Sequence, residues 1–135
     1  MRTIPDFARQ RALLTPGAIA FRDVAGDRTW TFAEVDDLAE RLAAMLEGRG
    51  CKEGERVAVL CHNTPFFFAL LFACAKAALI LVPLNWRQTA SELGPILADS
   101  GARLLLHDEA TSPLADIIAR EGNIERLTFD DCEKL

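Results

Sequence analysis

The chain has 135 residues, half hydrophobic and 26% charged, which suits one globular domain with its own core and excludes a disordered or low-complexity segment. Its formal net charge of −5, from 15 basic and 20 acidic side chains, argues against nucleic acid as a partner, because phosphate binding needs clustered Lys and Arg. The densest basic spot, Arg9 and Arg11, reads as a solvated helix face.

In chain order, a first helix is predicted from about Pro5 to Leu14, stopped by Thr15-Pro16-Gly17. Ala18 to Val24 and Arg28 to Thr31 read as the arms of a hairpin around Gly26-Asp27. Thr31 with Glu34 forms a capping-box signature for a long helix. Apolar residues at 32, 35, 38, 39, 42, 45 and 46 give that helix one buried face, and Gly48 and Gly50 end it. Arg56 to His62 is apolar with little alternation, as expected of a strand covered on both faces.

Thr64-Pro65 opens the next helix, to Ala77, and Leu79 to Leu84 the next strand. Thr89 with Glu92 repeats the capping box for a helix to about Ser100, which Pro95 should kink and Gly101 should close. Arg103 to His107 is a strand, Ser112-Pro113 opens a helix to about Glu121, and Glu125 to Phe129 is a last strand. Strands and helices alternating at these lengths imply an α/β fold with a mainly parallel sheet and flanking helices, as one unit.

The run from Pro65 to Leu84 is apolar apart from Lys76, about the length that spans a bilayer. The helix-start signal, the change of pattern near Ala78 and the position of Lys76 favour a buried helix and strand instead, with no transmembrane span. Phe66, Phe67, Phe68, Leu70, Leu71, Phe72 and Cys74 surround the helix on nearly every side, and such a helix wants a partner on each face. The four cysteines, at 51, 61, 74 and 132, have no metal or redox spacing. Cys61 and Cys74 read as reduced core residues of a cytoplasmic protein, and Met1 to Asp6 lack the apolar run of a secretory signal.

Two stretches carry a resemblance. Thr29-Trp30-Thr31-Phe32-Ala33-Glu34-Val35 leads through a helix to Gly54-Glu55-Arg56-Val57-Ala58-Val59. Ala75-Lys76-Ala77-Ala78-Leu79-Ile80-Leu81-Val82-Pro83-Leu84-Asn85 follows. Together they resemble the N-terminal part of the acyl-CoA synthetase, or AMP-dependent synthetase and ligase, family of adenylate-forming enzymes, which includes luciferases. The resemblance implies that residues 1–135 are the N-terminal α/β portion of the large domain of such a ligase. The parent would activate a carboxylic acid, fatty or aryl, with ATP and Mg2+, and transfer the acyl group to CoA.

The Ser/Thr/Gly-rich phosphate loop ending in Lys-Gly, the magnesium-positioning Thr-Glu pair, the ribose-binding Asp and the C-terminal lid with its lysine do not occur between Met1 and Leu135. No catalytic residue and no metal ligand is therefore carried over, and the chain alone is expected to be inactive and to bind none of the three tightly. Relatives commonly have Gly-Ala where this chain has Ala78-Leu79, so the helix-to-strand turn is expected to be adjusted.

Gly48-Arg49-Gly50-Cys51-Lys52-Glu53-Gly54 follows a helix and precedes a strand, the reverse of a dinucleotide fingerprint, and reads as a helix stop and turn. His62 and Asn63, after one strand, and Asn85, Trp86 and Arg87, after the next, stand where open α/β sheets bind ligands and are the candidate crevice. His107-Asp108 would point to opposite faces of an extended strand, Asp36-Asp37 do not share a helix face, and Asp130-Asp131 fall near a frayed terminus. The rival to a ligase fragment is a standalone module that self-associates through the helix around Phe66–Phe72; a flavodoxin-like or receiver-like domain ranks last, because the central strand ends in His62-Asn63 rather than an acidic cluster.

Overall fold

The structure is a computed structural model that describes residues 4–134; Met1 to Thr3, part of the segment read above for a signal, and Leu135 lie outside the described residues. The chain runs α1 (Phe7–Leu14), β1 (Ile19–Asp23), β2 (Arg28–Thr31), α2 (Phe32–Gly48), β3 (Arg56–Leu60), α3 (Pro65–Lys76), β4 (Ile80–Leu84), α4 (Ala90–Ser100), β5 (Ala102–His107), α5 (Ser112–Gly122), β6 (Glu125–Thr128) and α6 (Phe129–Glu133). β1 and β2 form an antiparallel hairpin, and the other four strands form a parallel sheet in the order β4-β3-β5-β6. The mainly parallel α/β architecture is thus present.

Two apolar layers explain why β3 shows no alternation. Val57 and Val59 face a core built by α2, α3 and α6, whereas Ala58 and Leu60 face one built by α4 and α5. The predicted face of α2 is buried at Val35, Leu38, Ala39, Leu42, Met45 and Leu46, with Phe32 half-buried at its start. Capping boxes form at Thr31–Glu34 and Thr89–Glu92, each satisfying amides that a helix start otherwise leaves unpaired. Thr64 sits at the N-cap of α3 ahead of Pro65, but its hydroxyl makes no capping bond and is buried without a partner. α4 runs continuously through Pro95, whose missing donor would have met the Ser91 carbonyl; both residues are exposed, where water can serve that carbonyl.

Two departures from the sequence-based expectations have physical causes. The last strand stops at Thr128, because Thr128 and Asp131 close a third capping box and start α6; Asp130 and Asp131 are therefore the first turn of a helix rather than a frayed end. β3 ends at Leu60, leaving His62 and Asn63 in the loop beyond it. The turn after α3 takes Ala78 into the left-handed region, with φ at 57°, a backbone that glycine favours and an L-residue adopts only at some cost.

α3 is apolar all round yet only partly enclosed. Phe66, Ala69, Leu70, Ala73 and Cys74 are buried, and the hairpin reaches the outer face through Phe21 stacked on Phe68 at 5.0 Å. Leu71 and Phe68 remain 43% and 38% exposed. Lys76, at the end of α3, is the hub of an ion cluster: its side chain is 6% exposed, and Nζ lies 2.9 Å from Asp6, 2.8 Å from Asp36 and 2.9 Å from Glu40. Burial alone would lower the lysine's pKa; the hydrogen bonds that its ammonium donates to the Asp36, Glu40 and Asp6 carboxylates outweigh it and hold Lys76 above the usual lysine range. No helix among the described residues is long and apolar enough to cross a membrane.

Candidate functional site

The order β4-β3-β5-β6 places a topological switch between β3 and β5, since the chain steps from β3 to β4 on one side and returns to β5 on the other. The carboxyl ends of these two strands are bridged. Asp108, just past β5, accepts at Oδ2 from the His62 amide (2.9 Å) and at Oδ1 from the Thr111 amide (2.9 Å). The Thr111 hydroxyl lies 2.6 Å from Asp108 Oδ1 and 2.9 Å from the Leu60 carbonyl, and the Asp108 amide donates to that carbonyl at 3.4 Å. His62 Nδ1 stands 3.4 Å from Asp108 Oδ2. Burial would raise the Asp108 carboxyl's pKa; the Thr111 and His62 donors overcome it and hold the group below the usual carboxylate range.

Beside this bridge, a cavity of about 280 Å³ opens past the ends of β3 and β4. Asn63, Asn85, Trp86 and Arg87 line it with Cys61 and Phe67, so four of the five sequence candidates share one wall. His62 is not part of the lining. It stands behind Trp86, with ring centroids 4.2 Å apart at 61°. Asn85 fixes the turn that carries the wall, because its side chain accepts from the Arg87 amide (3.0 Å) and its carbonyl from the Gln88 amide (3.0 Å). The Arg87 guanidinium lies 5.0 Å from the centre of the Trp86 ring.

His107 and Asp108 form no dyad. β5 ends at His107, whose fully buried ring donates from Nδ1 to the Asp108 carbonyl (2.9 Å) and accepts at Nε2 from Arg126 (3.0 Å); Arg126 in turn pairs with Asp116 (3.2 Å). Guanidinium offers only donors, which sets these roles of the ring nitrogens. Asp36 and Asp37 part as expected, to Lys76 and to Arg41. Sequence reasoning missed Asp108 as the partner of His62, and Thr111 as the residue that holds Asp108. The one available signal was a polar Asp-x-x-Thr run closing an apolar strand, a sequence that turns and caps commonly use.

The cavity offers one cation, two amides and an indole. No carboxylate lines it, and among the described residues no three His, Cys, Asp or Glu side chains stand together as a metal site. Mg2+ demands oxygen ligands that usually include a carboxylate, so this donor set does not fit a magnesium-bound triphosphate, and no reaction step is drawn through one. What the wall can do is contact a polar or anionic part of a ligand through Arg87, Asn63 and Asn85, against the apolar surface of Trp86.

The sequence matches the family of AMP-binding enzymes over residues 8–132. It is 33% identical over 123 residues to a long-chain-fatty-acid–CoA ligase of Mycobacterium tuberculosis, covering 91% of this chain and 24% of that protein. It is 43% identical over 98 residues to a feruloyl-CoA synthase of an Amycolatopsis species, covering 73% and 20%. In three dimensions it resembles the N-terminal domain of FACL13 from Mycobacterium tuberculosis, with a TM-score of 0.91 and 31% identity over 99% of this chain and 36% of that one. The chain spans about a quarter of the length of the first of these relatives. With the same parallel sheet and helices at these positions, the chain belongs to the AMP-binding enzyme family of adenylate-forming acyl-CoA synthetases and ligases, of which it corresponds to an N-terminal part.

Proposed function

We propose that residues 1–135 are the N-terminal α/β portion of an AMP-forming acid–CoA ligase and act as scaffold and ligand-crevice wall rather than as catalyst. The observation that carries this is the family match across 8–132 in a chain that covers 24% of a fatty-acid–CoA ligase. In the proposed reaction a fatty or aryl carboxylate attacks the α-phosphorus of ATP, forming an acyl-adenylate and releasing pyrophosphate. The thiol of CoA then attacks the acyl carbon, forming the thioester and releasing AMP. The relatives act on both kinds of acid, one named for long-chain fatty acids and another for ferulate. Four free cysteines suit a reducing compartment such as the cytoplasm.

This part would supply Arg87, Asn63 and Asn85 to a polar part of one ligand, with His62 behind them. Its uncovered α3 face, at Phe68 and Leu71, would receive the remainder of the ligase chain. The test is acid-dependent ATP–pyrophosphate exchange by the full product of the gene beside the 135-residue chain. Exchange by the full product alone supports the reading; exchange by the short chain, or by neither across fatty and aryl acids, overturns it. A second reading, self-association through that face, is favoured by the same exposure, and predicts a concentration-dependent dimer in sedimentation that persists at high salt.

A further inference from the structure

We propose that Asp108 is a positioning residue for the crevice: it holds His62, and His62 braces Trp86, so a carboxylate at the end of β5 sets the place of an aromatic wall at the end of β4. The inference rests on the reading of the crevice as a ligand-contacting wall. Its geometry is a chain of contacts. Asp108 Oδ2 accepts from the His62 amide at 2.9 Å and faces the His62 ring nitrogen at 3.4 Å, so one oxygen holds the backbone and stands beside the ring. Oδ1 is gripped in turn by the Thr111 amide at 2.9 Å and lies 2.6 Å from the Thr111 hydroxyl, and Thr111 is buried. The carboxylate therefore has little freedom to follow a moving histidine.

On the far side, the imidazole lies against the indole at 4.2 Å between ring centres. The Asn85 turn holds the backbone of Trp86, while its side chain is 40% exposed and meets, besides His62, the Arg87 guanidinium at 5.0 Å. Edge-to-face aromatic contacts of this kind carry a definite geometry as well as buried area. The three residues come from three segments far apart in sequence and meet only because β3 lies between β4 and β5.

The test uses the 135-residue chain with Trp30→Phe, which leaves Trp86 as the only indole of the two tryptophans. Acrylamide quenching and the emission maximum of Trp86 are compared for Asp108→Ala, His62→Ala and the double variant. Each single variant is expected to raise quenching and shift emission to the red, and the double variant should match His62→Ala alone. Thr111→Val, which removes the hydroxyl but keeps the amide that holds Asp108 on the side away from His62, should lower stability while moving Trp86 clearly less than Asp108→Ala does.

A double variant that sums the two single effects, an Asp108→Ala chain with unaltered Trp86, or a Thr111→Val chain that moves Trp86 as far as Asp108→Ala, overturns the proposal. If Asp108→Ala fails to fold by circular dichroism, Asp108→Asn takes its place, with the same direction of change expected and the same outcomes decisive. No ligand enters the measurement. A crevice that binds nothing therefore leaves this result standing, and additivity overturns the positioning role whether or not a ligand binds.

Discussion

Ala78 turns the chain from α3 into β4 with φ at 57°, and Ala78→Gly is expected to stabilise the protein. An L-residue in the left-handed region carries about 1–2 kcal/mol of strain between Cβ and the following carbonyl oxygen, which glycine removes. Glycine also widens the unfolded ensemble, which offsets about 0.4–1 kcal/mol. The side chain is exposed, so no packing is lost. The turn itself stays pinned, since the Ala78 carbonyl accepts from the Gly54 amide at 2.8 Å. The net gain is about 0.5–1 kcal/mol, read as a higher urea midpoint at unchanged slope, or a melting temperature raised by about 2–5 °C. Ala77→Gly is the control: Ala77 has φ −90° and ψ 2°, ordinary for alanine, and the same change there should destabilise by about 0.5–1 kcal/mol. Equal effects at the two positions, or a loss at Ala78, would refute the assignment of strain to that turn.

Lys76→Met should cost about 2–4 kcal/mol in urea unfolding, because it leaves three carboxylates facing one another around a buried position; a change below about 0.5 kcal/mol would show the cluster to be solvated. Stability should also fall in acid. Asp108 and Asp6 keep folded-state pKa values below their unfolded ones, against the opposing effect of burial, through donors from Thr111 and His62 in one case and from Lys76 in the other. Their contribution is therefore present above the unfolded value of about 4 and lost as pH falls through the lower folded values. Urea midpoints from pH 7 to 3 should show this decline, and Asp108→Asn should flatten it. Finally, burial pushes the Cys61, Cys74 and Cys132 thiols up to about 12 and Cys51 upward, so Ellman's reagent at pH 8 should react slowly with the folded chain and rapidly with all four thiols in guanidinium.

Local signals made most of the fold legible. The capping boxes at Thr31–Glu34 and Thr89–Glu92, the left-handed Gly101 and the unalternating apolar run at β3 each state a local backbone preference that the fold keeps. The candidate crevice was legible as position, because residues after parallel strands gather at one sheet edge, and Asn63, Asn85, Trp86 and Arg87 do share a wall. Its wiring was not. Asp108 and His62 lie 46 residues apart, and their pairing depends on which strands are neighbours, which no local pattern states. Lys76 shows the same limit: its sequence position argued against a bilayer, yet its three partners come from the start of α1 and from two positions on α2.

The surroundings of β4 bear on where the rest of a ligase chain could pack. Ile80 donates to the Glu55 carbonyl, so Ile80, Val82 and Leu84 direct their backbone groups at β3 while Leu81 and Pro83 direct theirs at the open edge. Proline there loses no bond within this sheet and removes a donor that a further strand would need. The edge is thus poorly made for extension. The outer face of α3 differs, since it offers Phe68 and Leu71 with no backbone group left to satisfy. An all-apolar helix is a statement about two faces, and this fold uses one fully and the other in part. The unused part is the exposed apolar surface of Phe68 and Leu71, where a neighbour would bury side chains without having to satisfy any backbone group, whereas at β4 it would have to.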